Sequence, residues 1–147
     1  MSDVVSQFSL GIEQVEGYQF QVNFEKAEAP WLVVDEPPPL GKDTGPNPSR
    51  VLAASVGSCL AMSLLFCLGK HQVQAAGLRA EVRVENIRNE KRRLRVGKIR
   101  VTIHADVAAE DKERARRCLG VFEEFCTVTA SIRDGIEVDV KVDGIDA

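Results

Sequence analysis

The sequence predicts an α+β domain. Three features carry that reading: an N-terminal stretch of strict two-residue alternation, a long central run of small and apolar residues at helical spacing, and a second pair of alternating stretches followed by more helical pattern. The order is strands, helix, strands, helix, short helix, strand. At 147 residues the chain suits a single domain, 1–147.

Gln7 to Glu13 alternates imperfectly, and Gly17 marks a turn. Tyr18 to Phe24 alternates strictly, so Tyr18, Phe20, Val22 and Phe24 are expected on one buried face. Trp31 to Val34 is a short third strand. The prolines and glycines between Glu36 and Pro48 end regular structure, and a loop of that length in a small domain is often functional. Asn47-Pro48 then starts a helix, with Asn as N-cap and Pro at the first helical position.

This helix is expected to run to about Leu68 and stop at Gly69, with Lys70 and His71 beside the negative end of its dipole. Leu52, Val56, Cys59, Met62 or Ser63, and Phe66 recur at helical spacing and are expected to form its buried stripe. Gly57 and Ser58 are poor helix formers at mid-helix, which close approach of another helix explains. Leu78 to Arg88 and Leu94 to Asp106 read as a hairpin closed by the charged link from Asn89 to Arg93. A helix is expected from about Ala109 to Phe125, with Ala115, Cys118, Leu119, Phe122 and Phe125 inward. A short helix from Cys126 or Thr127 to Gly135 and a last strand from Ile136 to Val142 complete the chain.

The formal net charge of −3 gives no support for nucleic-acid binding. The basic cluster of Lys91, Arg92, Arg93, Arg95 and Lys98 alternates with Leu94, Val96 and Ile99, which reads as the tip and exposed face of a hairpin. No apolar stretch is expected to reach the roughly 20 residues of a membrane span. The N-terminus lacks the basic region and apolar core of a signal peptide. A cytoplasmic protein with reduced thiols, binding neither nucleic acid nor membrane, is the resulting expectation.

Four cysteines are present, and two of them, Cys67 and Cys118, read as core filling on helical faces. Gaps of 8, 51 and 8 residues with no Cys-x-x-Cys pair argue against a four-cysteine zinc site. His71 fits a helix C-terminus and His104 a strand, each without a convincing second ligand. Cys59 and Cys126 differ from one another in setting. Cys59 lies in the small-residue helix, and Cys126 opens the run Cys126-Thr-Val-Thr-Ala-Ser-Ile-Arg133. A separated thiol pair reduces a peroxide when one sulfur is oxidised and the other resolves it as a disulfide, provided that the fold brings the two together.

On Gly45-Pro-Asn-Pro48, the Ala/Gly/Ser-rich helix leading to Ser58-Cys59-Leu-Ala-Met62, Cys126-Thr-Val-Thr129 and the closing Gly135-Ile-Glu-Val-Asp-Val-Lys-Val142, the chain resembles the OsmC/Ohr family of thiol-dependent hydroperoxide reductases. The likeness covers nearly the whole chain. It implies antiparallel sheets packed around a long central helix and an intertwined homodimer with two sites at the subunit interface. It also implies that Cys59 attacks an organic hydroperoxide, with hydrogen peroxide as a second substrate, and that Cys126 resolves the sulfenate as a disulfide. A dithiol reductant completes the cycle, with no cofactor and no metal.

The chemistry needs a thiolate at Cys59, and burial on an apolar stripe opposes ionisation. The family usually supplies an arginine paired to a glutamate near the start of the central helix. This sequence departs from that pattern: Ser49 and Arg50 stand where the glutamate is found, and no arginine precedes Arg50. Arg50 is therefore the candidate cation, ahead of Lys26, Lys42 and Arg133. In a continuous helix it stands nine residues before Cys59, about 13 Å along the axis and on roughly the opposite side, so a contact across a dimer, or a loop conformation up to Arg50, is what would bring it in. Cys126 at a helix N-terminus would be stabilised as thiolate by unpaired N–H groups, which by physics alone makes it the more acidic thiol. Two rival readings remain open: a non-catalytic dimeric ligand-binding or interaction protein, and a thiol redox sensor.

Overall fold

A computed structural model describes residues 3–145; the first and last two positions of the expected domain lie outside the described residues. The chain forms two compact units, Met1–Leu52 and Ala53–Ala147.

The first unit is an antiparallel meander of β1 (Gly11–Glu16), β2 (Gln19–Asn23) and β3 (Leu32–Val34). Gly17, at φ +54°, makes the β1–β2 turn. Of the expected buried face, only Val22 is buried; Phe20 is half-buried, and Tyr18 and Phe24 are exposed. Three short strands in one chain leave the ends of that face uncovered. The loop after β3 is organised by Asp35, which is only 3% exposed. Its carboxylate accepts from the Thr44 hydroxyl (2.7 Å) and from the backbone N–H groups of Glu36 (2.8 Å), Thr44 (3.1 Å) and Lys42 (3.3 Å). The Thr44 hydroxyl, against the opposing effect of burial, holds that carboxyl below its ordinary pKa. Gly41 is required because a Cβ there would overlap the Glu36 carbonyl and the Asp35 carboxylate.

Helix α1 (Pro48–Lys70) begins where the sequence predicts, and Asn47 Oδ1 accepts from the Arg50 N–H at 3.0 Å. It ends differently. The helix passes through Gly69, and Gln72 (φ +59°) takes the left-handed position instead. The Gln72 N–H bonds to Gly69 O at 3.1 Å and the Val73 N–H to Leu68 O at 2.9 Å, a Schellman closure. Burial of Val73 against Leu68 sets this endpoint, because both join one core cluster. By length and composition alone α1 would also span a membrane, contrary to the sequence expectation, since 23 residues pass with charges only at Arg50 and Lys70.

In the second unit α1 packs on an antiparallel hairpin of β4 (Ala75–Arg88) and β5 (Leu94–Val107). Its tip is held by Asn89 Oδ1, which accepts from the Lys91 and Arg93 N–H groups, both at 3.0 Å. The buried stripe of α1 is Ala53, Val56, Gly57, Leu60, Ser63, Leu64, Cys67 and Leu68, which shares only Val56 and Ser63 with the expected one. Leu52, Met62 and Phe66 are exposed, and Cys59 lies at the stripe's edge. Apolar residues occur on every side of this helix, so periodicity alone could not choose the face; the small residues Ala53 and Gly57 mark it.

The expected helix from Ala109 to Phe125 is broken. A 3₁₀ turn (Ala109–Asp111) leads into α2 (Lys112–Arg116), and a second 3₁₀ segment covers Phe122–Phe125. Between them the Cys118, Leu119 and Val121 N–H groups bond three residues back at 3.0–3.1 Å, tightening the chain into turns ahead of and beyond Gly120. Cys118 is buried as expected and Phe122 is packed inward, whereas Leu119 and Phe125 are exposed. Helix α3 (Thr127–Asp134) follows and closes at Gly135, φ +75°. The expected strand from Ile136 to Val142 has no ladder partner among the described residues, and its alternating Ile136, Val138, Val140 and Val142 are exposed.

The element that approaches α1 closely at Gly57 is the hairpin and not the expected second helix: a Cβ there would lie 2.5 Å from Val82 Cγ2. Gly57→Ala therefore lowers stability by about 1–3 kcal/mol through overpacking, although helix propensity alone favours Ala by about 1 kcal/mol. Adding Val82→Ala recovers part of the loss. Chemical denaturation of the three variants checks this, and a Gly57→Ala protein more stable than the parent would contradict it.

Candidate functional site

Cys59 and Cys126 come from opposite ends of the second unit's sequence and meet in one cluster. Cys126, Val56 and Leu60 form its buried centre, with Cys59, Ile99, Val101, Ile103, Phe122 and Val128 packed around them. Both thiols are free, and they lie close enough that each shifts the other's ionisation. They differ in access: Cys126 is 0% exposed, whereas Cys59 is half-buried.

The N-terminus of α3 makes the site. Cys126 is the N-cap residue, and its sulfur accepts from the Thr129 N–H at 3.4 Å, with the Thr129 hydroxyl 3.1 Å away. The Val128 N–H of the same turn lies near enough to Cys59 to favour its ionised form, and the buried Ser63, one turn beyond Cys59 on α1, does the same for both thiols.

The two thiols are pushed in opposite directions. Burial raises the pKa of Cys59, and neither the Val128 N–H nor the Ser63 hydroxyl offsets it. Burial also opposes ionisation of Cys126, but the Thr129 hydroxyl, Cys59, the Thr129 N–H and Ser63 together outweigh it and lower the pKa. The first proton lost from the pair thus leaves an anion centred on Cys126. Transfer of the Cys59 proton to Cys126 would deliver a thiolate at Cys59, the less buried of the two residues.

Ser63 and Thr129 are the functional side chains that sequence reasoning passed over. The signal was present: Thr129 stands three residues after an N-cap position and Ser63 four residues after Cys59. The expectation for Cys67 and Cys118 needs correction. They are not separate core fillers, because the structure joins them in a disulfide with Cα atoms 5.8 Å apart. The break in the expected helix turns Cys118 toward α1.

Of the candidate cations, Arg133 pairs with Glu123 at 2.7 Å, and Lys42 pairs with Glu16 at 3.3 Å. Arg50 lies in the first turn of α1, which is unbroken to Lys70; the nine-residue offset keeps it about 13 Å along the axis from Cys59 of the same chain. The leading influences on both free thiols are burial and nearby polar groups, with no positive side chain among them.

A family described as OsmC-like protein matches residues 41–141. No curated protein matches the chain. Among solved structures, the chain is similar to an OsmC-like protein of unknown function from Vibrio cholerae (TM-score 0.71, 13% identity, covering 86% of this chain and 94% of that one). It is also similar to an organic hydroperoxide resistance protein from Legionella pneumophila (TM-score 0.61, 17% identity, 87% and 91% covered). A third similar structure is the organic hydroperoxide resistance protein OhrB of Bacillus subtilis (TM-score 0.56, 21% identity, 84% and 90% covered). At these identities the likeness shows the fold: mixed α+β, with antiparallel sheets and a long helix.

Thr129→Val removes the hydroxyl that contributes most to lowering the Cys126 pKa. The first thiolate of the folded protein then appears at higher pH than in the parent. Ultraviolet thiolate absorbance followed against pH checks this, and an unmoved first transition would contradict the assignment.

Proposed function

The chain belongs to the OsmC-like protein family, and on that premise we propose that it is a thiol-dependent peroxidase reducing organic hydroperoxides. The observation that carries this reading is the pair of free cysteines that the fold brings into one cluster at the α3 N-terminus, Cys59 half-buried and Cys126 buried. The Cys59 thiolate attacks the outer oxygen of the hydroperoxide, the O–O bond breaks, and the alkoxide leaves and takes up a proton as the alcohol. The Cys59 sulfenic acid then condenses with the Cys126 thiol, forming the S–S bond and releasing water. A dithiol reductant restores both thiols and leaves as its own disulfide.

Apolar neighbours of the pair, Val56, Leu60, Val101 and Phe122, favour a hydroperoxide with an organic tail over hydrogen peroxide. Residues 1–147 act as one domain in a cytoplasmic homodimer, without cofactor or metal. The exposed Met62, Leu65 and Phe66 on α1 and the unpartnered Ile136–Val142 segment favour a second copy as the covering surface. Arg50 of that second copy is the proposed activating cation, because the geometry of α1 keeps a chain's own Arg50 from its Cys59.

Peptide mapping after one equivalent of cumene hydroperoxide is expected to recover a Cys59–Cys126 disulfide, about 2 Da lighter than the two thiol peptides. Turnover with a dithiol is abolished in Cys59→Ser and in Cys126→Ser, and Arg50→Ala lowers kcat/KM by about 10²-fold. A parent protein whose Cys59 stays reduced at that dose would sink the peroxidase reading. The raised pKa of Cys59 would then favour the alternative of a dimeric ligand-binding protein.

A further inference from the structure

We propose that Cys67, His71 and Cys118 form a second site, distinct from the Cys59–Cys126 pair, which takes a thiophilic d¹⁰ metal ion such as Zn²⁺ when its disulfide is open. The donor atoms of these three residues all lie within 4.8 Å of one another. Tetrahedral zinc ligands, at about 2.3 Å for sulfur and 2.0–2.1 Å for nitrogen, sit roughly 3.5–3.8 Å apart, which is inside that span. The proposal does not depend on the peroxidase reading.

The fold holds the three residues before any ion arrives. Cys67 and His71 stand one turn apart on the same side of α1, so one side of the helix offers a sulfur and an imidazole together. His71 is fixed at the helix end: its N–H bonds to Cys67 O at 3.2 Å, and its carbonyl accepts from Arg114 Nη1 at 3.5 Å. Arg114 also donates to Gln72 O at 3.3 Å and pairs with Asp111, tying α2 to this helix end. Cys118 arrives on the turn after α2, its N–H bonded to Ala115 O at 3.0 Å.

Charge favours the ion. Cys67 is 3% and Cys118 0% exposed, among Leu64, Leu68, Val73 and Phe122. Two isolated thiolates would be costly there, but two thiolates, a neutral imidazole and a divalent cation sum to zero. His71 is only half-buried, so the site has a route for the ion and room for a fourth, solvent-derived ligand. The disulfide and the metal are alternatives. A dithiol opens the S–S bond, leaving as its own disulfide, and the two freed thiols release two protons as they bind the ion.

The test uses the full-length chain with Cys59→Ser and Cys126→Ser, so that only Cys67 and Cys118 carry sulfur ligands. It is reduced with a phosphine, which takes oxygen from water as two thiols form, and is then freed of the reagent. Co²⁺ is expected to bind at one per chain with a thiolate-to-cobalt charge-transfer band, and Zn²⁺ to displace it. Further replacement of Cys118 by Ser abolishes the band. His71→Ala, which keeps both buried sulfurs and so the packed core, weakens binding at least about 10-fold. No band with both thiols free, a band that survives loss of Cys118, unchanged affinity in His71→Ala, or a disulfide that stays closed in the folded chain would each overturn the proposal.

Discussion

The chemistry of this chain depends on how the first turn of α3 meets the edge of α1. An eight-residue helix leaves its leading N–H groups without helical acceptors. Here one of them, the Thr129 N–H, is answered by the Cys126 sulfur, with Cys59 packed beside it. That contact brings two cysteines 67 residues apart into one cluster and makes them chemically unequal. The buried Cys126 has the Thr129 hydroxyl and amide on its sulfur. The half-buried Cys59 is held protonated by burial and by the charge on Cys126. A division of labour between accessible and buried sulfur follows from this inequality.

The same two stretches of chain carry both sulfur pairs. Cys59 and Cys67 are eight residues apart on α1, and Cys118 and Cys126 are eight apart on the returning segment, which runs the other way. Phe122, midway between Cys118 and Cys126, packs into both core clusters. Environment distinguishes the pairs. One lies at the helix N-terminus, with amide donors and an open side. The other lies deep beside a histidine at the end of α1. Small residues allow this crowding, since Gly57 lets the hairpin approach α1 closely where a larger residue would push it away.

Much of the fold was legible where local rules act alone. Asn47-Pro48 announced the start of α1, Cys126 the start of α3 and Gly135 its end, because capping is decided by neighbours in sequence. The hairpin was legible from its alternation and charged tip. What escaped was decided by contacts between distant residues. The buried side of α1 could not be chosen by periodicity in a helix apolar all round, so Leu52, Met62 and Phe66 were expected inside and Cys59 was set too deep. Cys67 was rightly read as buried, but its disulfide to Cys118 was not legible. The helix end moved from Gly69 to Gln72 because Val73 is drawn into the core with Leu68. The segment from Ile136 to Val142 carries a strand's pattern, but a strand needs a neighbour to pair with. At the site both free cysteines were legible; the spacing of Ser63 and Thr129 was there to read, but its meaning depends on how α3 meets α1 in the folded chain.

The order in which the two free thiols ionise tests the account most directly. Cysteines labelled with ¹³C at Cβ report each thiol separately by NMR across a pH titration. The account predicts that Cys126 ionises first and that the Cys59 resonance moves in the same transition, since the charge on Cys126 acts on Cys59. Ionisation of Cys59 ahead of Cys126, or two independent titrations, would contradict it.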